Sequence, residues 1–341
     1  MRITIVGAGA IGGSAGAYLT AAGHDVLLVD RAADHVAAMN DQGLRITGVR
    51  GERVVRVKAC TPADLEGPLE FVIIAVKGQF TAGALETVVP LLAPHGFVVS
   101  MQNGLNEEEI ARAVGAERTL GCLVHYGAYY MGPGHIELGN EHEIYFGELD
   151  GQITPRLKTI AEVMSPVMPS TPTDNIWGWK WTKLAYGSLH FAGALLDIPT
   201  YEALQRTAFR PTFGAVVTEA VRVAYALGHS RLPAYGTFRP GPFADGYGAE
   251  ADAVFETLAV PEVGTIQHFS GIQRDLMVRK RKTEVDQIPG AVAAKAAHVG
   301  VLVPFHDEVI RQIKELEDGK RQLGWHNIEE LADVARVAGP G

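Results

Sequence analysis

The segment Gly7-Ala-Gly-Ala-Ile-Gly12 constrains this chain more than any other. By itself a G-x-G-x-x-G string is a weak signal. Here it follows a β-branched run, Arg2–Val6, and opens a small-residue helix expected over Ile11–Ala22. Gly23-His24 stops that helix, and Asp25–Asp30 reads as the next strand. A strand, a tight glycine turn, a helix and a second strand make the unit that binds a dinucleotide. Each glycine has a physical task. Gly7 allows the tight turn, Gly9 lets backbone approach a pyrophosphate, and Gly12 lets helix and strand pack closely. The N–H groups of the helix start, at Ala10 and Ile11, then face the phosphates together with the positive end of the helix dipole. Asp30, eighteen residues beyond Gly12, stands where a carboxylate accepts both ribose hydroxyls of NAD and repels a 2′-phosphate. Arg31 follows at once and is the type of residue that serves the 2′-phosphate of NADP. The reading favours NAD, with NADP as the alternative.

The alternation continues with a helix over Ala33–Asp41, a fully apolar strand over Phe71–Val76, a helix over Thr81–Leu92 and a strand over Phe97–Met101. Short connections between such elements predict a parallel sheet. From Thr119 to Glu148 the pattern changes to strands with turns, notably Gly132-Pro-Gly134. Past Pro172 long helical patterns take over, roughly Asn175–Leu195, Phe213–Leu227, Gly290–His298 and Asp307–Asp318. The expected architecture is therefore α/β, a Rossmann-type doubly wound sheet over residues 1–173 followed by an all-α C-terminal domain over 174–341. Pro233–Gly248, rich in Gly, Pro and aromatics, reads either as an ordered surface loop or as a lid.

Composition excludes several classes. With 341 residues, 47% hydrophobic and 20% charged, the chain buries a substantial core. Thirty basic against thirty-nine acidic residues give a net charge of −9, which disfavours nucleic acid as a partner. Arg279-Lys-Arg-Lys282 reads as a wet loop. Two cysteines, Cys60 and Cys122, make no disulfide framework. No run is long and apolar enough for a membrane span, and residues 2–6 read as a strand rather than a leader. A cytoplasmic enzyme or binding protein with a small-molecule ligand and no metal is expected.

Ligands in such sheets bind beyond the carboxyl ends of the strands. Lys77 follows Phe71–Val76, and Asn103 follows Phe97–Met101. With Trp181-Thr-Lys183-Leu-Ala and Thr283-Glu284-Val-Asp286, these landmarks resemble the ketopantoate reductases (2-dehydropantoate 2-reductases) and their relatives, from Met1 to about Glu317. The resemblance implies that Lys183 donates the proton to the reduced carbonyl and that Glu284 bonds the substrate hydroxyl. It also implies that Asn103 and Lys77 line the nicotinamide and the mouth of the site, that Ser270 meets the substrate carboxylate, and that Arg31 meets the 2′-phosphate. A homodimer is expected too. The chemistry agrees: charge growing on a carbonyl oxygen calls for a cation such as Lys183.

Two departures stand out. Gly187 occupies a position where the family typically has an asparagine for the substrate, and one extra residue separates Ser270 from Glu284. Lys183, Gly187 and His190/Phe191 share a helix face. The missing side chain at Gly187 predicts a vacated volume for a bulkier substrate group flanked by His190 or Phe191. The run His125-Tyr-Gly-Ala-Tyr-Tyr130 is a candidate for further aromatic walls. Trp177 and Trp181 read as core or interface packing. The leading expectation is an NAD(P)-dependent oxidoreductase acting on a 2-oxo or 2-hydroxy acid other than ketopantoate. Its alternatives are a 2-dehydropantoate 2-reductase proper, an opine- or imine-type C–N reductase, and a non-catalytic dinucleotide sensor.

Overall fold

The first β-branched run forms β1 (Ile3–Val6), and the glycine turn delivers the chain into α1 (Ala10–Ala21). Next come β2 (Val26–Val29) and α2 (Ala33–Gln42), then three short strands, β3 (Leu44–Gly48), β4 (Arg53–Val55) and β5 (Lys58–Cys60). They are followed by β6 (Leu69–Ile74), α3 (Thr81–Val88), β7 (Leu92–Ser100), α4 (Glu107–Val114) and β8 (Thr119–Val124). The strands β9 (Ala128–Gly132), β10 (His135–Leu138) and β11 (Ile144–Glu148) precede α5 (Pro155–Met164) and β12 (Ser170–Pro172). The computed structural model describes residues 2–261 and 269–338. They divide into two compact units that meet in sequence at Ile176 and Trp177.

In the first unit the main sheet runs β12-β11-β8-β7-β6-β1-β2-β5. Its six strands from β8 to β5 are mutually parallel. Numbered along the chain, they lie in the order 3-2-1-4-5-6 of a dinucleotide-binding fold. Helices on both faces explain why Phe71, Val72, Ile73 and Ile74 of β6 are all fully buried. A second sheet, β4-β3-β10-β9, pairs β3 with β10 in parallel. The sequence reading placed no strand between residues 44 and 60. These strands are only three to five residues long, and β3 finds its partner some ninety residues away, which local periodicity does not reveal.

The second unit is helical: α6 (Ile176–Gly193), α7 (Thr200–Ala203), α8 (Arg210–Ala226), α9 (Ala249–Leu258), α10 (Gly271–Met277), α11 (Pro289–Val299), α12 (Pro304–Glu317) and α13 (Trp325–Ala338). Trp181, Phe213, Phe255, Ile313 and Leu331 fill its core. A buried polar chain fastens three helices together. Glu219 on α8 accepts from the backbone N–H groups of Phe305 and His306, both at 2.9 Å, and lies 2.7 Å from His306 Nδ1. His306 Nε2 lies 3.0 Å from Ser188 Oγ on α6. The segment 233–248 belongs to this core: Phe238 and Phe243 are fully buried, and the Tyr247 hydroxyl donates to Asp252 on α9. Two core side chains thus hold the segment in place. In the basic run, Arg279 and Arg281 both meet Asp275 Oδ1, at 3.0 and 2.9 Å. Among the described residues no helix is long and apolar enough to cross a membrane.

Candidate active site

The glycine turn has the geometry that a pyrophosphate needs. Gly7 adopts φ +98°, and a Cβ there would stand 2.7 Å from the backbone nitrogen of Val76. A Cβ on Gly12 would lie 2.1 Å from the Gly7 carbonyl oxygen, so any side chain there would force α1 away from the sheet. At Gly9, by contrast, the space around a would-be Cβ is open to 4 Å. Gly9 is also the N-cap of α1 and supplies no side-chain cap. The first N–H groups of a helix lack partners within it, and a glycine N-cap has no side chain to take them. The turn therefore fits a dinucleotide phosphate.

At the end of β2, Asp30 Oδ1 accepts the N–H of Ala32 at 3.0 Å. This small turn orients the carboxylate. Arg31 is exposed, yet its guanidinium is not loose: it lies 4.2 Å from the centroid of the Phe80 ring. Tyr130 stands close enough for Asp34 and Asp30 to act on it; burial first, then those two carboxylates, push its phenol pKa up.

Lys77 follows β6 as the N-cap residue of a short 3-10 turn, and Asn103 follows β7. Gln102, which the sequence reading gave no role, joins the two loops. Its side-chain amide donates to the Val76 carbonyl at 2.9 Å and to Thr81 Oγ1 at 2.8 Å. Buried beside Asn103, it fixes the loops on which Lys77 and Asn103 stand.

In the helical unit, Lys183, Gly187 and His190 lie on one face of α6, each half-buried. Tyr186 joins them; its ring meets His190 edge-on at 4.5 Å and lies 5.3 Å from Tyr235. His190 Nδ1 sits 3.1 Å from Thr200 Oγ1. The expected void at Gly187 is not there. A Cβ on Gly187 would stand 3.0 Å from Ile288 Cγ2, so Ile288 already fills the space of the missing side chain. The N–H of Ile288 donates to the carbonyl of Glu284 at 3.0 Å. This contact therefore brings the Glu284 turn against α6 one helical turn from Lys183. The turn is secured at both ends: Glu317 accepts from the Thr283 N–H and hydroxyl at 2.7 and 2.6 Å, and Asp286 pairs with Lys314 at 2.7 Å.

Ser270 is the N-cap of α10 in a capping box with Gln273. Gln273 in turn donates to the Ile198 carbonyl at 2.6 Å, which ties α10 to the chain leaving α6. Phe191 is fully buried and cannot flank a substrate, a correction to the sequence reading. The run His125–Tyr130 belongs to the first unit. Tyr126 is buried and donates to the Ile11 carbonyl at 3.2 Å, and His125 stacks on His142 at 4.4 Å. Those side chains thus brace the sheet and α1. Trp181 is core, with Trp177 and Trp181 each 6.2 Å from the His229 ring.

A phosphate-binding turn of this build, on a sheet with this strand order, defines a dinucleotide-dependent protein. Comparison with known proteins takes the class further. The sequence model of Ketopantoate reductase PanE/ApbA matches residues 3–151, and that of the Ketopantoate reductase PanE/ApbA C terminal matches residues 175–317. The chain belongs to the ketopantoate reductase family and is an NAD(P)-dependent oxidoreductase acting on CH–OH or C=O groups. The 2-dehydropantoate 2-reductase of Aquifex aeolicus is 27% identical over 324 residues, covering 93% of this chain and 97% of that protein. A crystal structure of 2-dehydropantoate 2-reductase from Geobacter metallireducens is 25% identical, with a TM-score of 0.79 over 92% of this chain and 99% of its own. D-mandelate dehydrogenase in ternary complex with NADH and anilino(oxo)acetate has the same fold, with a TM-score of 0.81 at 24% identity over 94% and 99% of the two chains.

Proposed function

We propose that this enzyme interconverts a 2-oxo acid bearing an apolar or aromatic side chain with its 2-hydroxy acid, that it prefers NAD(H), and that ketopantoate is not its best substrate. The observation that carries the reading is the lining of the Lys183 face. Gly187 offers no amide, Ile288 fills its place with hydrocarbon, and Tyr186, His190 and Tyr235 stand beside it. A polar substrate group left without a partner there loses about 1–3 kcal/mol, whereas an apolar or aromatic one packs.

The glycine turn from Gly7 to Gly12, with Ala10 and Ile11, holds the pyrophosphate, and Asp30 holds the adenosine ribose. NAD(P)H, when bound, supplies the hydride. Lys183 places its ammonium Nζ at the substrate oxygen, where it stabilises the growing negative charge and gives up a proton. Glu284 accepts from the resulting hydroxyl, Ser270 donates to the carboxylate, and Asn103 and Lys77 border the nicotinamide. The Asx turn at Asp30 supports NAD over NADP, since an oriented carboxylate repels a 2′-phosphate. The enzyme works in the cytoplasm as a homodimer built on its helical unit, where Val278 and Leu302 are 72% and 88% exposed. Light scattering that reports a monomer at micromolar concentration would refute the dimer.

The deciding experiment compares kcat/KM for ketopantoate with that for branched and aromatic 2-oxo acids, using NADH and NADPH in parallel. An aromatic acid ahead by tenfold or more is expected. A kcat/KM for ketopantoate above about 10⁴ M⁻¹s⁻¹, with every larger acid slower, would instead make the chain a 2-dehydropantoate 2-reductase, the activity by which its relatives are named.

A further inference from the structure

We infer that His35 is a positioning residue for cofactor binding: it fastens the dinucleotide turn to the second sheet and so sets the peptide that the pyrophosphate approaches. The inference rests on the reading of that turn as the cofactor site.

His35 stands on α2, outside the glycine motif, and is buried with 1% of its surface exposed. Both ring nitrogens are engaged. The Gly134 N–H donates to Nδ1 at 2.9 Å, so Nδ1 carries no proton. The proton of the neutral ring is then on Nε2, which donates to the Ala8 carbonyl at 2.9 Å. Ala8 lies between Gly7 and Gly9. Its carbonyl and the Gly9 N–H belong to one planar trans peptide and point in opposite directions. Holding the carbonyl toward His35 therefore aims the Gly9 N–H away from it, at the residue where the space around a Cβ is open.

The other end of the link is equally defined. Gly134 belongs to the turn between β9 and β10, has φ +70°, and its carbonyl accepts the Arg45 N–H of β3 at 2.8 Å. Tyr130 on β9 meets the imidazole edge-on, with ring centroids 5.1 Å apart. The second sheet thus grips one side of the ring while the glycine turn takes the other. A histidine needed only to fill space would require neither bond. This ring spends its single donor on the backbone of the cofactor turn and its single acceptor on the neighbouring sheet.

The test uses the full-length protein with His35→Leu and His35→Gln. Titration with NADH and NADPH gives Kd, steady-state kinetics at saturating cofactor give kcat, and thermal melts give Tm. His35→Leu should raise the cofactor Kd about tenfold, the scale of losing hydrogen bonds to buried backbone groups, with kcat within twofold. A glutamine amide carries both a donor and an acceptor, so His35→Gln should recover most of the affinity. A Kd within twofold of wild type in His35→Leu, with only Tm lowered, would overturn the inference. If the leucine variant does not fold, hydrogen exchange of the wild type decides: NADH should slow exchange at the 132–136 turn, and an unchanged rate there would overturn it equally. A wild-type chain that binds neither cofactor would overturn the functional reading along with it, which separates the two failures.

Discussion

Substitution of Gly187 by alanine probes the contact that shapes the substrate face. The new methyl would lie 3.0 Å from Ile288 Cγ2, whereas carbon atoms are comfortable at about 3.5–4.0 Å. Ile288 must then retreat by about 0.5–1 Å. Two opposing terms set the stability. Alanine inside a helix gains roughly 0.5–1 kcal/mol over glycine, and overpacking a tight site costs about 1–3 kcal/mol. The net loss is modest, about 1 kcal/mol. Activity should suffer more, because Ile288 is hydrogen-bonded to Glu284 and moves the turn with it. A displaced Glu284 should lower kcat/KM roughly tenfold, equivalent to about 1.4 kcal/mol. Ile288→Ala removes Cγ2 and makes room, so the double variant G187A/I288A should recover activity relative to G187A alone. Cofactor absorbance kinetics on the four proteins complete the cycle, with an expected coupling of about 1–2 kcal/mol. Effects that add to within about 0.5 kcal/mol would mean that Gly187 and Ile288 do not act through one contact, and the argument would fall.

Three further outcomes are expected. Lys183→Ala should lower kcat by about 10²–10⁴ and leave the NADH Kd within twofold; a variant retaining a tenth of wild-type turnover would remove Lys183 from the chemistry. Asp30→Ala should shift the NADH-to-NADPH preference toward NADPH by about 1–3 kcal/mol in paired fluorescence titrations, and an unchanged ratio would deny Asp30 its ribose role. The Tyr247 hydroxyl, and after it Arg210, hold the Asp252 carboxyl below its ordinary 3.8. A depressed folded pKa means that this contribution is complete above 3.8 and is lost as pH falls through the lower folded value. Tyr247→Phe should therefore flatten the acid limb of a Tm-against-pH curve, and superimposable limbs would refute the assignment.

Where chemistry and chain neighbours coincide, the sequence was readable. The glycine turn, Asp30, the apolar β6 and the long helices of the second unit all announce themselves through spacing and period. The missed features are those decided by partners far along the chain. The vacancy inferred at Gly187 follows from the residue itself, but Ile288, a hundred residues on, occupies it. Phe191 shares a nominal helix face with Lys183, yet core packing takes its ring. His35 carries no motif, since its task depends on the Gly134 turn, 99 residues away. Gln102 was visible in the Ser-Met-Gln-Asn-Gly segment but gained a role only when β6 and β7 proved to be neighbours.

The buried Ser188–His306–Glu219 chain also bears on how the protein is made. Ser188 and His306 are 118 residues apart, a gap that a ribosome working at about 5–20 residues per second needs roughly 6–24 s to cross. Every strand of the main sheet has been synthesised by Pro172, so the dinucleotide unit can close early. The helix bearing Lys183 cannot. Until α12 emerges, Glu219 on α8 and Ser188 on α6 lack the histidine that joins them. The link between α6 and α8 through His306 is thus set late in synthesis, after every strand of the main sheet exists.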